Sequence, residues 1–573
     1  MDPRVTFRLQ QLQQQLTANG GPEPPPPPLA VSLCKASDSG KVCSAEEAVA
    51  LIPDGVWLTP AGFVGTSCPE LLLIAVRERF EATGHPRNLG VIFAASAGNS
   101  KGRGCDQLAA QGLVNRLIYG WTGTAPGFLK LVLANQVQAW NLPLGVVSHM
   151  IRDVAAKRAG PVTHVGLNTF VDPREKGGKL NSSTTRDIVH LLELGGRELL
   201  WYQVPEAISV ALLRGTTADA DGNVCFSREA LFVDQLNQAM AVHNSGGVVI
   251  VQVERVVDRG TLSPKSVHLP GAIVDKVVVA PPELHWQTLR DPGHDPSLSG
   301  EARKLLTGIP PLPLDERRII AHRAMLEIDK PNCIVNLGVG MPEGVAMMVA
   351  THGARENPHA DSVTLTTEAG AFGGIPGGGL HFGSSHNPAC LVPTASMIDF
   401  YNGSGVDLAC LGLAEADPAG NVNVSNFGAG RMPGCGGFID ISQTAKKVVF
   451  VGTFTSGGLK VAVEGGRLLI QQEGRLLKFR RAVHEKTSLI QAVCKCTLAC
   501  CAANGRTVLF ITERAVFRLL SQREQQSCGS ESAIELIEVA PGIDIERHIL
   551  RWMEFKPLMR AVKQMPAQVF APA

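Results

Sequence analysis

The stretch "LACLGLAEADPAGNV", residues 408–422, repeats the pattern of "VALLRGTTADADGNV", residues 210–224. In both copies an apolar run leads into a turn of the form D-x-x-G-N-V, so Asp219 and Asp417 occupy equivalent positions. Short apolar runs rich in β-branched residues are typical of buried strands in parallel sheets. We therefore predict that the chain contains two copies of one folding unit.

A second pair of segments occurs earlier in each half and in the same order. "VWLTPAGFVGTSCPELL" (56–72) is similar to "CIVNLGVGMPEGVAM" (333–347), because each is a strand-like run followed by a Gly turn and Pro-Glu. Between these motifs, strand-like runs such as "LGVIFAAS" (89–96) alternate with amphipathic stretches such as "PELLLIAVRERFEATG" (69–84). This alternation predicts an α/β fold with two tandem related domains, each a mostly parallel sheet layered with helices.

Proline-rich stretches suggest where the domains begin and end. "GGPEPPPPPLA" (20–30) is a stiff spacer, and "GIPPLPLDERR" (308–318) has the composition of a linker. We expect the chain to divide as follows: a flexible N-terminal extension (1–43), a first domain (44–307), the linker (308–318), a second domain (319–560) and a C-terminal tail (561–573).

The composition excludes several classes of protein. With 45% hydrophobic residues, 18% charged residues and a net charge of +1, the chain is globular and has no basic surface for nucleic acid. No apolar run approaches the roughly 20 residues that a membrane span needs. The N-terminus lacks a secretory apolar core, and the 14 Cys are mostly scattered singly, as expected of reduced thiols. We expect a cytoplasmic protein, with mitochondria as the alternative.

Cofactor and metal motifs are weak. In "GVGMPEG" (338–344) the glycines stand first, third and seventh, whereas a dinucleotide turn needs them first, third and sixth. The one candidate metal site is "CKCTLACC" (494–501), in which the adjacent Cys500 and Cys501 fit a tetrahedral zinc site awkwardly. We predict no metal and no bound cofactor.

The stretch "TTEAGAFGGIPGGG" (366–379) sets one carboxylate, Glu368, among glycines. A Glu with an ordinary pKa of about 4.3 is ionised at neutral pH and can attack an acyl group. The resulting oxyanion needs backbone N–H donors, which further Gly-rich turns at 428–438 and 455–459 could supply. Covalent catalysis by Glu368 is one interpretation, and a helix cap or an exposed turn residue is the other.

At these residues the chain resembles the family I coenzyme A transferases, specifically the fused acetate/propionate type, over roughly residues 41–557. The motifs that carry the resemblance include "GFVGTSCPELL" (62–72), "NLGVGMPEGVA" (336–346) and "GCGGFIDISQTAKKVVFVGTFTSGGL" (434–459). The resemblance implies CoA transfer between a short-chain acyl-CoA and a short-chain carboxylate, with CoA as a substrate. It also implies a homo-oligomer, a tetramer, and a ping-pong reaction in which Glu368 becomes an acyl anhydride and then a glutamyl-CoA thioester.

The resemblance assigns further site residues. It places Gly436 and Gly437 near the oxyanion or the bound CoA, and makes Gly338 and Gly340 candidates for lining the pocket. Ala97 stands where the family usually has a Gln that holds the carbonyl oxygen, and we expect Asn99 to substitute for it if the loop shifts. An acyl-CoA hydrolase and a non-catalytic protein that binds CoA or a small acid remain as alternatives.

Overall fold

The computed structural model describes residues 40–305, 311–428, 430–489 and 506–572. The polyproline extension, the first residues of the expected linker and the Cys-rich stretch 494–501 therefore lie outside the described residues. Residues Val42–Ala573 belong to one compact unit.

Fourteen strands are described in the first half of the chain and nineteen in the second. Those of the first half are β1 (Trp57–Pro60), β2 (Leu89–Ala95), β3 (Val114–Trp121), β4 (Gln138–Asn141), β5 (Val162–Thr163), β6 (Val189–Leu194), β7 (Arg197–Tyr202), β8 (Val210–Arg214), β9 (Thr217–Asp219), β10 (Val224–Cys225), β11 (Val248–Val253), β12 (Arg255–Val257), β13 (Val267–Leu269) and β14 (Lys276–Val279). Those of the second half are β15 (Ile334–Leu337), β16 (Thr364–Thr367), β17 (Ala371–Phe372), β18 (Ile375–Pro376), β19 (Ser385–His386), β20 (Cys390–Leu391), β21 (Leu408–Gly412), β22 (Glu415–Ala416), β23 (Asn421–Asn423), β24 (Lys447–Val451), β25 (Thr455–Ser456), β26 (Lys460–Glu464), β27 (Arg467–Gln472), β28 (Leu476–Leu477), β29 (Ser488–Leu489), β30 (Thr507–Ile511), β31 (Ala515–Leu519), β32 (Ile534–Val539) and β33 (Leu558–Gln564).

The α-helices of the described residues are spread over both halves. They are α1 (Ala45–Val49), α2 (Glu70–Thr83), α3 (Pro126–Leu133), α4 (Leu144–Ala155), α5 (Gln235–Asn244), α6 (Pro296–Ser299), α7 (Glu316–Met325), α8 (Glu343–Glu356), α9 (Thr394–Asn402), α10 (Phe438–Thr444), α11 (Gln522–Cys528) and α12 (Ile545–His548). None of the helices in the described ranges combines the length and the apolar composition that crossing a bilayer requires.

Each half is built on one large sheet. In the first, seven parallel strands lie in the order β14-β11-β8-β1-β2-β3-β4. In the second, ten strands lie in the order β20-β17-β16-β15-β21-β24-β30-β31-β32-β33, and the five from β16 to β30 are parallel. The parallel run β14-β11-β8-β1-β2 therefore matches β30-β24-β21-β15-β16 in both spatial and chain order. The predicted duplication and the predicted α/β fold class are confirmed.

The repeated turn forms the same hydrogen bonds in both halves. The Asn223 and Asn421 backbone N–H groups donate to Oδ1 of Asp219 (2.9 Å) and Asp417 (3.0 Å), and their amide side chains donate to Oδ2 of the same residues. The residue before each of these asparagines, Gly222 or Gly420, has a positive φ of 85° or 84°. Glycine adopts this conformation readily, which explains why both copies of the turn have glycine at this position.

Helix α4 joins the two halves. Ten of its twelve residues are buried, because it packs on β2, β3 and α5 of the first half and on α9 and α10 of the second. One apolar core cluster accordingly contains Phe63 and Leu144 together with Ile398 and Phe438. At the C-terminus, β33 pairs with β32 as far as Gln564, so the boundary expected at residue 560 falls inside a strand. The division at 307–319 stays a proposal.

We predict that Asp219→Ala and Asp417→Ala each destabilise the fold, because each leaves backbone and amide N–H groups, partly buried at the first turn and buried at the second, without acceptors. The expected loss is about 1–3 kcal/mol per substitution, read as a lower apparent Tm in thermal unfolding. Glu531→Ala, at an exposed position, is the control. Equal Tm values for all three variants would contradict this prediction.

Candidate active site

Glu368 directly follows β16, at the carboxyl edge of the second sheet. Its side chain faces a cavity of about 170 Å³. The walls come from residues at or just beyond the carboxyl ends of strands in both sheets and from the start of α10, namely Phe63, Val64, Ala95, Trp121, Leu144, Gly338, Val339, Phe382, Leu411, Gly412, Val424 and 434–438 with Ile441. Ligands of open α/β sheets bind at this edge, so the position itself favours a functional site.

The Glu368 carboxyl group is buried and incompletely paired. The residue is 7% exposed, and its Oε2 has no hydrogen-bond partner among the described residues. Burial raises the pKa of Glu368 to about 7, while its own backbone N–H and the Asn336 side chain act in the opposite direction. A carboxylate held in this way is more basic than one in water and is positioned to react.

Three buried polar residues lie beneath Glu368. The Asn336 amide on β15 donates to the Tyr401 hydroxyl (3.0 Å), which donates to Thr366 Oγ1 (2.8 Å). Burial raises the pKa of Tyr401, which keeps it a neutral donor. The sequence analysis did not single out this cluster, although Asn336 is the one polar residue in the apolar run "CIVNLG" and was the available signal.

The predicted glycine turn lies against Glu368, but its two amides differ. The Gly436 N–H donates to the Gly120 carbonyl (2.9 Å), so this amide is already used to join the second half to the first. The Gly437 N–H forms no hydrogen bond within the described residues. A Cβ at Gly437 would lie 3.3 Å from Glu368 Cγ, which shows how closely the backbone approaches the carboxyl group.

A second buried carboxyl group, Asp440, lies in the first turn of α10. It is 0% exposed, and its Oδ2 accepts a hydrogen bond from the Gly145 N–H of α4 (3.0 Å). Burial raises the pKa of Asp440 to about 7; the Gly145 N–H and Asn402 oppose this rise, and the neighbouring Glu368 adds to it. The sequence analysis missed Asp440, whose signal was an acid inside the apolar stretch "GGFIDIS".

Comparison with known proteins agrees with this geometry. Residues 42–280 match the family model described as coenzyme A transferase. The chain is 42% identical to caffeate CoA-transferase of Acetobacterium woodii, with 93% of this chain and 97% of the relative aligned. It is 38% identical to acetate CoA-transferase YdiF of Escherichia coli K12, with 93% and 95% aligned.

The chain belongs to the coenzyme A transferase family. The structure is also similar to that of the acyl-CoA transferase YdiF from E. coli O157:H7 in a thioester complex with CoA, with a TM-score of 0.83, 37% identity and 93% and 96% of the two chains covered. The resemblance noted in the sequence is thereby confirmed, and the protein is a CoA-transferase acting between acyl-CoA and a carboxylate.

The remaining predicted site residues of this CoA-transferase are not all at the cavity. Gly338 lines it, but its N–H donates to the Cys410 carbonyl (2.9 Å). Gly340 does not line it, and its N–H donates to Glu343 (2.8 Å). Asn99 does not line it either.

The loop of the first half that carries Ala97 and Asn99 supplies no side-chain donor to the Glu368 cavity. Asn99 Oδ1 accepts from the N–H groups of Lys101 (2.9 Å) and Arg103 (3.2 Å), so it serves its own loop. Ala97 is fully buried. Neither Ala97 nor Asn99 lines the cavity, whereas Gly437 offers a backbone N–H next to Glu368 that has no partner within the described residues.

No metal-binding arrangement occurs in the part of the chain that the structure describes, where no group of three or more His, Cys, Asp or Glu is placed to hold an ion. Cys494, Cys496, Cys500 and Cys501 lie outside the described residues. The prediction of a CoA-transferase without metal or bound cofactor stays a prediction.

We predict that Gly437→Ala lowers kcat about tenfold to a hundredfold, because its methyl group would lie 3.3 Å from Glu368 Cγ and displace that side chain by a fraction of an ångström. The matched control is Gly412→Ala, which lines the same cavity but has no atom within 4 Å of the added Cβ. Steady-state rates of CoA transfer from an acyl-CoA to acetate provide the measurement. An equal loss in both variants would show that cavity volume, and not the contact with Glu368, is what matters.

Proposed function

We propose that this CoA-transferase moves CoA reversibly between a short-chain acyl-CoA and a short-chain carboxylate, in two ping-pong halves through a glutamyl-CoA thioester on Glu368. The observation that carries the proposal is the buried Glu368 carboxyl group, which faces a cavity beside Gly437. Within the described residues, neither Glu368 Oε2 nor the Gly437 N–H has a hydrogen-bond partner. This is the combination that nucleophilic acyl transfer requires, a nucleophile next to an oxyanion donor.

The reaction needs no external energy source, because each step exchanges one activated acyl bond for another. A Glu368 oxygen attacks the thioester carbonyl, CoA leaves as a thiolate, and an acyl-glutamyl anhydride remains. The thiolate then attacks the Glu368 carbonyl, which releases the first acid as a carboxylate and leaves the glutamyl-CoA thioester. An incoming carboxylate attacks the glutamyl-CoA thioester, which forms a second acyl-glutamyl anhydride and releases the CoA thiolate. The thiolate then attacks the acyl carbonyl of this anhydride, which gives the new acyl-CoA and restores the Glu368 carboxylate.

The cavity walls support an apolar acyl group of modest size. They are formed by aromatic and aliphatic side chains such as Phe63, Trp121 and Phe382, and the described lining residues include no Lys, Arg or His. A second carboxylate on the acid would therefore be buried without a partner, which is costly. We infer that monocarboxylates are preferred to dicarboxylates. The acids in the names of the two relatives, acetate and caffeate, are both monocarboxylates, although caffeate is larger than a short-chain acid.

Three further parts of the account are proposals of the same kind. The homo-oligomer of four subunits and a role in short-chain fatty acid or ketone-body metabolism rest on the resemblance alone. The cytoplasmic location, with mitochondria as the alternative, rests on the N-terminal sequence and the scattered cysteines. None of them is needed for the chemistry at Glu368.

We predict that Glu368→Gln and Glu368→Ala lower kcat by at least about a thousandfold, because the nucleophile is lost. Wild-type initial rates at varied acyl-CoA and acetate should give parallel double-reciprocal lines. Glu343→Gln is the matched control, since Glu343 lies at the same sheet edge, does not line the cavity and caps Gly340.

Two outcomes would contradict the proposal. Release of CoA at the same rate with and without acetate would assign acyl-CoA hydrolysis instead. Full activity in Glu368→Ala would remove this residue from the mechanism.

We predict that kcat/KM rises with pH through about 7, because burial raises the pKa of Glu368 to about 7 and only the ionised form attacks. In Asp440→Asn the neighbouring negative charge is absent, so the pKa of Glu368 falls and the rising limb moves to lower pH. The pH profiles of kcat/KM for the two proteins give the comparison. An unchanged limb, or one moved to higher pH, would show that Asp440 does not act on Glu368.

A further inference from the structure

A second cavity of about 370 Å³ lies at the opposite edge of the first sheet. Its lining residues stand at the amino ends of strands β1, β3 and β4 and in the segments 186–188 and 203–209, and none of them lines the Glu368 cavity. Arg116, which lines this second cavity, and Trp121, which lines the Glu368 cavity, lie on the same strand, β3. At about 3.3 Å per residue they are roughly 16 Å apart, so this is a separate place on the molecule.

Two guanidinium groups, Arg116 and Arg186, line this second cavity. The Arg116 guanidinium lies over the Trp57 ring, 4.8 Å from its centroid, and donates to the Gly55 carbonyl. Burial and the nearby charge of Arg186 both lower the pKa of Arg116. The half-buried Arg116 and the exposed Arg186 therefore place two positive charges near each other at this cavity.

Neither guanidinium is neutralised. Within the described residues, Arg116 and Arg186 form no ion pair with a carboxylate, and Arg186 makes no side-chain hydrogen bond. The Arg186 backbone is fixed, because its carbonyl accepts from the Trp140 indole N–H (3.0 Å). Glu206 lies at the exposed rim and forms no ion pair with either arginine.

The other walls complete a small-molecule site. Trp140, Ile118 and Val204 give apolar surface, and Gln138 and Ser209 give polar groups. A concave, mostly apolar site of several hundred cubic ångströms with a few convergent polar groups is typical of ligand binding.

We propose that this cavity binds the oxyanion group of a small organic molecule, a carboxylate or a phosphate ester, between Arg116 and Arg186. The planar guanidinium fork matches both groups with paired, charge-assisted hydrogen bonds. A bound anion removes the repulsion between the two cations, and the apolar part of the ligand covers the wall formed by Ile118 and Val204. The site is independent of the reaction at Glu368.

The test is isothermal titration calorimetry of the full-length protein with ADP, butyrate or inorganic phosphate, at low and at physiological salt. In Arg186→Gln we expect binding of the preferred probe to weaken at least tenfold, with partial recovery in Arg186→Lys. Arg467→Gln is the control, because Arg467 is exposed on a distant hairpin and forms no ion pair within the described residues. Unchanged apparent Tm values exclude misfolding as the cause.

Each result decides a point. Loss of ADP or phosphate binding in Arg186→Gln alone supports the site and assigns a phosphate ligand, and the same loss for butyrate alone assigns a carboxylate. If no probe binds wild-type protein, or if every probe binds Arg186→Gln as tightly as Arg467→Gln, the proposal is overturned.

Discussion

Backbone hydrogen bonds between the segment 433–436 of the second half and the end of strand β3 in the first half determine the shape of the active site. The Thr122 N–H donates to the Pro433 carbonyl (2.8 Å), and the Gly436 N–H donates to the Gly120 carbonyl (2.9 Å). Asn141 adds a side-chain acceptor for the Cys435 N–H (3.0 Å). These bonds hold the turn rigidly, and Gly437, the next residue, is thereby brought against Glu368.

This junction explains the electrostatics of the cavity. Because both halves close over Glu368, the carboxyl group loses most of its water, and its pKa rises to about 7. Asp440 is buried by the same closure and adds a second acidic group, and no Lys, Arg or His of the described ranges forms an ion pair with it. Such an arrangement costs folding free energy, and sites that do so are usually retained for chemistry.

The sequence was sufficient for some features because they are local. The D-x-x-G-N-V repeat and the order of strand-like runs predicted a duplicated α/β fold, and each turn is formed by residues only four positions apart. Glu368 stood out for the same reason, as one charge within a glycine-rich stretch. The position of Gly437 beside it followed from the resemblance.

Other features depend on contacts between residues far apart in the chain. Asp440 meets Gly145 across 295 positions, and Asn336 meets Tyr401 across 65, so no local pattern reveals either pair. Asn99 is a different case: its residue type suits an oxyanion donor, but its Oδ1 accepts from the N–H groups of its own loop and the residue does not line the Glu368 cavity, so its predicted role stays a prediction. The arginine-lined cavity likewise exists only because strand starts and two later segments meet in space.

The most direct measurement is the mass of the intact protein and of its Glu368 peptide after incubation with propionyl-CoA in the absence of an acceptor acid. The account predicts a CoA-sized adduct on Glu368 that acetate discharges and that Glu368→Ala does not form. Absence of any adduct together with absence of acid release, or an adduct on another residue, would contradict it.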